Sequence, residues 1–129
     1  MNEEKPGFYR YTRDDDITVY EIYHYAPEAL TAWVADIRGL LDETHQPAKR
    51  LYDLRKAGEF PLPVLRAIPP ILRHPNAHWV SFAVVVSDSV VWGMLDLVLS
   101  LRSKPTRRIM SDFDEAIVWL NERVPPSSK

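Results

Sequence analysis

The sequence predicts an α/β domain built on a mixed sheet, and three observations carry that expectation. Two runs rich in β-branched and aromatic residues flank an aspartate-rich turn near the N-terminus, the pattern of a β-hairpin. Behind them, strand-type runs alternate with helix-type periodicities, the pattern of crossover units. The run Trp79-Val80-Ser81-Phe82-Ala83-Val84-Val85-Val86 is nearly all apolar, which is how a strand buried on both faces reads. The implied order is ββαβαβαβα, antiparallel at the hairpin and parallel through the crossovers.

Each element has a local cause. Phe8-Tyr9-Arg10-Tyr11-Thr12 is the first strand, Asp14-Asp15-Asp16 the turn, and Ile17 to Tyr25 the second strand. The turn lacks the downstream ligand spacing of a calcium loop and reads as solvated. Pro27 opens a helix over 27–43, whose Leu30, Trp33, Val34, Ile37, Leu40 and Leu41 recur at spacings of three and four. A short strand over 49–54 and a loop over 58–63 come next. Val64, Leu65, Ile68, Ile71 and Leu72 have helical spacing, but Pro69-Pro70 cuts across it. Proline inside a helix costs about 3 kcal/mol, so two short helical pieces, or one piece and a turn, are expected, ending at His74-Pro75-Asn76. After the buried strand over 79–86, Ser87-Asp88-Ser89 supplies cap chemistry for a helix reaching about 103. A last strand over 106–110 leads to Asp112-Phe113-Asp114-Glu115, which has capping-box spacing, and to a final helix carrying Ala116, Ile117, Trp119, Leu120 and Val124. Residues 1–7 and 125–129 read as flexible tails of one domain spanning 1–129.

Composition narrows the function classes. A chain of 129 residues with 46% hydrophobic and 26% charged residues has the balance of a globular domain, not of a disordered chain. Sixteen basic and eighteen acidic residues give a net charge of −2, which argues against a nucleic-acid partner. With no cysteine, disulfides, thiolate catalysis and Cys-based metal centres are excluded, and a cytoplasmic location fits. No apolar run reaches the roughly 18 residues of a membrane span, and the first residues are too polar for a signal peptide.

The element order, the Leu51-Tyr52-Asp53-Leu54-Arg55 strand end, the Phe82-Ala83-Val84-Val85 strand and the stretch Phe113-Asp114-Glu115-Ala116-Ile117-Val118-Trp119-Leu120 together resemble SpoIIAA-like proteins of the STAS superfamily. The resemblance runs from about residue 16 to 124 and implies a fold similar to the lipid-carrying Sec14 domain. It is a packing signature and speaks to fold before function. STAS anti-sigma factor antagonists carry a phosphorylated serine, in an Asp-Ser context, where the third strand meets the next helix. Here that place reads Asp53-Leu54-Arg55-Lys56-Ala57-Gly58, so the phosphoserine switch does not carry over.

Ligands of open α/β sheets favour the carboxyl ends of parallel strands. Asp53, Asp88 and Asp112 stand at three such ends, with Arg55 beside the first. They read either as a polar rim for a ligand or partner, or as caps of the helices behind them. Ser87 and Ser89 flank Asp88, where capping competes with phosphate chemistry. His74 and His78 are four apart, but Pro75 and Asn76 break the helix that a metal pair would need. No metal site, no cofactor and no nucleophile–base pair is expected. Arg102, Lys104, Arg107 and Arg108 cluster around a helix C-terminus, where the dipole or an anionic surface would hold them.

The helix over 89–103 has a core stripe of Val91, Met94, Leu95, Val98 and Leu101, yet Val90, Trp92, Leu97 and Leu99 lie on its flanks. A helix apolar nearly all round is buried or meets a partner. Trp92 and Leu99 are therefore expected against a second subunit or a regulatory protein, or failing that a lipid or an anionic membrane surface. The competing expectation is that the helix near 62–74 covers them. The resemblance implies a non-catalytic bacterial module for regulatory protein–protein interaction. The alternative is a carrier or sensor of a small apolar ligand or lipid, with the proline-rich segment 61–75 as a lid.

Overall fold

The computed structural model describes residues 7–57, 61–100 and 106–123. Strands β1 (Phe8–Thr12) and β2 (Ile17–Ile22) pair antiparallel, with Phe8 opposite Ile22 and Thr12 opposite Thr18. The turn closes through Arg13 N–H to the Ile17 carbonyl (2.9 Å) and Asp16 N–H to the Arg13 carbonyl (3.0 Å). Asp16 takes φ 66°, a left-handed conformation that aspartate tolerates better than most residues. This turn is tied down rather than only solvated. The Asp15 carboxylate accepts from Arg13 (3.1 Å) and Asn121 (3.1 Å), and its carbonyl accepts from Lys49 Nζ (2.6 Å). Desolvation pushes the Asp15 carboxyl up, but these bonds and the Arg13 charge outweigh it and hold it below its ordinary value. At the other end, the Gly7 carbonyl accepts from Tyr23 N–H (2.8 Å), so the pairing reaches back to Gly7. Gly7 has φ +81°, and a Cβ there would collide with the Cβ of Ala29.

The chain then runs through α1 (Pro27–Asp42), β3 (Ala48–Asp53), α2 (Leu62–Leu72), a 3₁₀ turn (Ala77–Trp79), β4 (Val80–Val85), α3 (Ser89–Ser100), β5 (Arg107–Met110) and α4 (Phe113–Arg123). The sheet order is β1-β2-β3-β4-β5, and β2 to β5 are mutually parallel. Right-handed crossovers between successive neighbours deliver every connecting helix to the same face. The two cores obey that rule. Trp33 and Ile37 of α1, Val64 of α2, and Val91 and Leu95 of α3 pack on Tyr20, Ile22, Phe82 and Val84. Ala116, Ile117, Trp119 and Leu120 of α4 pack on Ile17, Val19, Leu51, Ala83 and Val85, with Phe113 alongside. Trp119 therefore shares its core with Phe113, and Trp33 lies on the opposite face.

A row of rings crosses the face that carries three helices: Phe8 to Tyr20 at 6.1 Å, Tyr20 to Tyr52 at 5.3 Å and Tyr52 to Phe82 at 5.6 Å between centroids. Such pairs add stability beyond the area they bury and pin the cross-strand register.

Most element ends fall within a residue of those the sequence predicts, and three differences have a physical cause. Helix α2 crosses Pro69 and Pro70 without a break. Both prolines fall in its last turn, so only the donors that would reach Leu65 and Arg66 are lost. Arg73 N–H to the Pro69 carbonyl (3.0 Å) closes the end, and Ile68, Ile71 and Leu72 pack on the core. Strand β2 stops at Ile22, and His24 Nδ1 instead accepts from Ala26 N–H (3.2 Å) just before α1. Trp79 belongs to the 3₁₀ turn, not to β4. The expectations for the side chains of Val98 and Leu99, for Leu101, Arg102, Lys104 and Val124, and for the tails 1–6 and 125–129 lie outside the described residues.

Two measurements check this architecture. Trp119→Ala removes a buried indole, at about 3–5 kcal/mol, and lowers the melting temperature by roughly 10 °C or more in calorimetry. With two helix bonds missing, α2 amides exchange hydrogen faster than those of the fully buried β4, by mass spectrometry of exchange-labelled peptides.

Candidate functional site

Parallel strands bring their carboxyl ends to one edge. Asp53 of β3 pairs with Val85 of β4, and Val85 with Met110 of β5. Leu54 N–H to the Val85 carbonyl (2.9 Å) and Val86 N–H to the Met110 carbonyl (2.9 Å) carry the ladder past the strand ends. Asp53, Asp88 and Asp112 therefore emerge along the same rim.

Asp53 is only 3% exposed, and a buried carboxylate must be satisfied internally. Arg55 does this with three donors. Its backbone N–H (3.1 Å) and Nε (2.9 Å) donate to Oδ1, and Nη2 donates to Oδ2 (2.8 Å). The hydrogen bond to Asp53 raises the Arg55 pKa most, desolvation opposes it, and the charges of Asp53, Asp112 and Glu21 add to it. The guanidinium also stands 5.4 Å from the centroid of the Phe113 ring, which links β3 to the start of α4. Next to it, Lys56 Nζ lies 5.6 Å from the Tyr23 ring centroid, and Tyr23 donates its hydroxyl to Glu21 at 2.6 Å. That bond to Glu21 pushes the Tyr23 phenol up to about 12.

Asp88 and Asp112 are caps. Asp88 Oδ1 accepts from Val90 N–H (2.7 Å) and Val91 N–H (3.2 Å), and Asp112 Oδ1 accepts from Glu115 N–H (2.9 Å). Ser89 begins α3 and is exposed. The structure thus brings Asp53, Arg55 and Asp112 within electrostatic reach of one another, while Asp88 and Ser89 open α3, which packs on the opposite face from α4. Trp92 stands apart on the outer flank of α3, 36% exposed, beside Val90 at 68% and Leu97 at 67%. The histidines serve locally: His74 Nε2 meets Asp42 Oδ1 at 2.7 Å and His78 Nδ1 meets the Pro75 carbonyl at 2.9 Å. Among the described residues, no three His, Asp or Glu side chains converge to hold a metal ion.

A second feature lies on the face that carries three helices. Between the sheet and α1, α2 and α3 runs an apolar cavity of about 90 Å³, whose walls include Trp33, Tyr52, Ile68, Phe82 and Leu95. Arg107 lines it as well, with its guanidinium 5.9 Å from the Phe82 ring centroid. Sequence alone groups Arg107 with a surface cluster. Its register opposite Phe82 is the missing signal, since paired residues share a face. Burial pushes the Tyr52 phenol up to about 12, with Arg50 opposing, so it is a neutral group in the cavity wall at pH 7.

The Asp53–Arg55 pair is open to test. Arg55→Ala leaves a buried carboxylate without its side-chain partner and destabilises by about 1–3 kcal/mol in urea melts. The double variant with Asp53→Ala loses less than the two single losses summed, because the deletions share one interaction. Arg55→Lys recovers only part, since an ammonium cannot make the two-pronged contact.

No protein-family model and no curated protein sequence matches the chain. Among solved structures, the crystal structure of an anti-sigma factor antagonist from Mycobacterium paratuberculosis is similar, with a TM-score of 0.62 and 13% identity. The match covers 93% of this chain and 99% of that one. At that identity the likeness speaks for the backbone arrangement, which is the SpoIIAA-like fold: an antiparallel hairpin, parallel strands behind it, and four helices.

Proposed function

We propose that this chain is a non-catalytic regulatory module that binds another protein at the edge where its parallel strands end. The observation that carries this reading is the near end-to-end match of its fold to an anti-sigma factor antagonist. The rim supports it. Asp53, Arg55, Asp88 and Asp112 are committed to one another or to helix caps, which makes a fixed, charged docking edge. Residues 53–58 contain no serine or threonine, so engagement is not gated by phosphorylation there. Titration against the anti-sigma factors of the same genome tests the proposal. The wild-type chain binds one of them, and Lys56→Glu weakens binding about tenfold, mostly through the association rate. Absence of binding to every one of them overturns it.

The outer flank of α3 is a second contact surface in this reading. Val90, Trp92 and Leu97 are a local apolar group of the kind that soluble monomers keep small. A second copy of the chain covers it. Sedimentation then reports a dimer for the wild type and a folded monomer for Trp92→Glu. Monomers in both cases remove the dimer, and binding of the wild type to anionic vesicles assigns the face to a membrane surface.

The cavity favours a further reading, carriage of a small apolar ligand in place of or alongside protein binding. An unfilled apolar cavity costs roughly 24 cal/mol per Å³, or about 2 kcal/mol for one of 90 Å³. A ligand that fills it recovers part of that cost and raises the melting temperature.

A further inference from the structure

The sheet has two edges, and they are not built alike. At one, β5 is four residues long and carries Arg107 and Arg108. Short strands and charged side chains are how folded proteins keep an edge from pairing with another chain. At the other, β1 is Phe8-Tyr9-Arg10-Tyr11-Thr12, with no proline and no lysine, and its pairing with β2 runs in unbroken register without a bulge.

That register fixes where the backbone of β1 points. In an antiparallel pair, alternate residues turn their N–H and C=O toward the neighbour. Tyr23 N–H donates to the Gly7 carbonyl at one end, and Arg13 N–H donates to the Ile17 carbonyl at the other. Gly7, Tyr9, Tyr11 and Arg13 therefore face β2. Phe8, Arg10 and Thr12 turn their donors and acceptors outward, where no strand lies and no hydrogen bond meets them among the described residues. Donors and acceptors repeating every second residue match another extended backbone.

The side chains give this edge two sides. Phe8, Arg10 and Thr12 project to the face of α1, where Phe8 packs on the core and Arg10 Nη1 donates to Asp36 (2.9 Å). Tyr9 and Tyr11 project to the other face, stacked at 5.6 Å between centroids, with Tyr9 50% exposed. Helix α4 lies over β3, β4 and β5, so these two rings form the outer margin of its face. A strand added beside β1 lays every second side chain along them. A second copy of this chain fits poorly. The antiparallel two-fold register that satisfies all three outward residues sets Phe8 opposite Thr12 and the two Arg10 side chains opposite each other. Like charges directly opposite destabilise a strand pair. A foreign strand avoids that conflict if it carries apolar residues over the tyrosines and no cation opposite Arg10.

We propose that the outer edge of β1 is a docking site for an extended segment of another protein. The segment adds to the sheet as a sixth strand through the backbone of Phe8, Arg10 and Thr12, and its apolar side chains cover Tyr9 and Tyr11. This site does not depend on the rim contact proposed above.

Nuclear magnetic resonance of the full chain tests this with an acetylated, amidated heptapeptide that has valine at every second position, threonine between and glutamate at the centre. The expected result is saturable binding in which the Phe8, Arg10 and Thr12 amides shift and exchange hydrogen more slowly. The Tyr9 and Tyr11 amides, already bonded to β2, keep their exchange rates. The same peptide N-methylated at its threonines and glutamate does not bind. Arg10→Pro removes the middle outward N–H without touching a bond to β2, and it weakens the unmodified peptide about tenfold. If Arg10→Pro does not fold, the N-methylated peptide makes the same test from the other side. Absence of binding, or equal binding of the N-methylated peptide, overturns the inference. Protection of the three amides without peptide, in a Trp92→Glu chain that still sediments as a dimer, overturns it in favour of a second copy. Binding of an anti-sigma factor that Arg10→Pro leaves unchanged supports the rim contact alone, and the peptide then decides this site by itself.

Discussion

A single strand buried on both faces constrains everything else in this molecule. All six residues of β4 are withdrawn from water, with Phe82 and Val84 in one core and Ala83 and Val85 in the other. A strand of that kind needs helices on both sides and hydrogen-bonded neighbours at both edges. The neighbours are β3 and β5, both parallel to it, and parallel neighbours demand crossover helices. Three helices fall on one face in consequence. The other face is left to α4, the one helix with no strand after it among the described residues.

The same geometry explains where charge collects. Parallel strands end together, and each end precedes a helix or a turn whose first N–H groups lack partners. Asp88 and Asp112 meet that need for α3 and α4. Asp53 precedes a turn instead, and its carboxylate is held by Arg55 two residues on. The rim is therefore charged for reasons of folding before any reason of function. A partner that docks there meets groups already fixed in place, which lowers the entropy lost on binding.

The face covered by three helices carries the opposite consequence. Helices α1, α2 and α3 come from separate crossovers and meet over a twisted row of rings, and their side chains do not fill the space between them and the sheet. On the other face a single helix packs Ala116 and Leu120 into one core with Ala83 and Leu51. Small residues at Ala83 and Ala116 permit the close approach on that side, whereas Phe82 and Tyr52 hold the other layer away.

Much of this was legible in the residues. Alternation and periodicity set the five strands, the four helices and their order, because burial of one face is a local pattern repeated along the chain. Cap chemistry identified Asp88 and Asp112, since a cap acts within three residues of itself. The Asp53–Arg55 pair had a signal too, because an aspartate at the start of a turn bonds the backbone N–H two residues on, which brings that residue's side chain beside it. What lay beyond the sequence depended on partners distant along it. The continuity of α2 through Pro69 and Pro70 rests on where the helix ends and on the core that Ile68, Ile71 and Leu72 meet, while propensity counts only the local loss. The placement of Arg107 in a cavity wall comes from its register with Phe82, twenty-five positions earlier. Local pattern determined the elements and their faces; the tertiary structure alone decided which faces meet, and how much space is left between them, because packing is a property of surfaces brought together and not of any one segment.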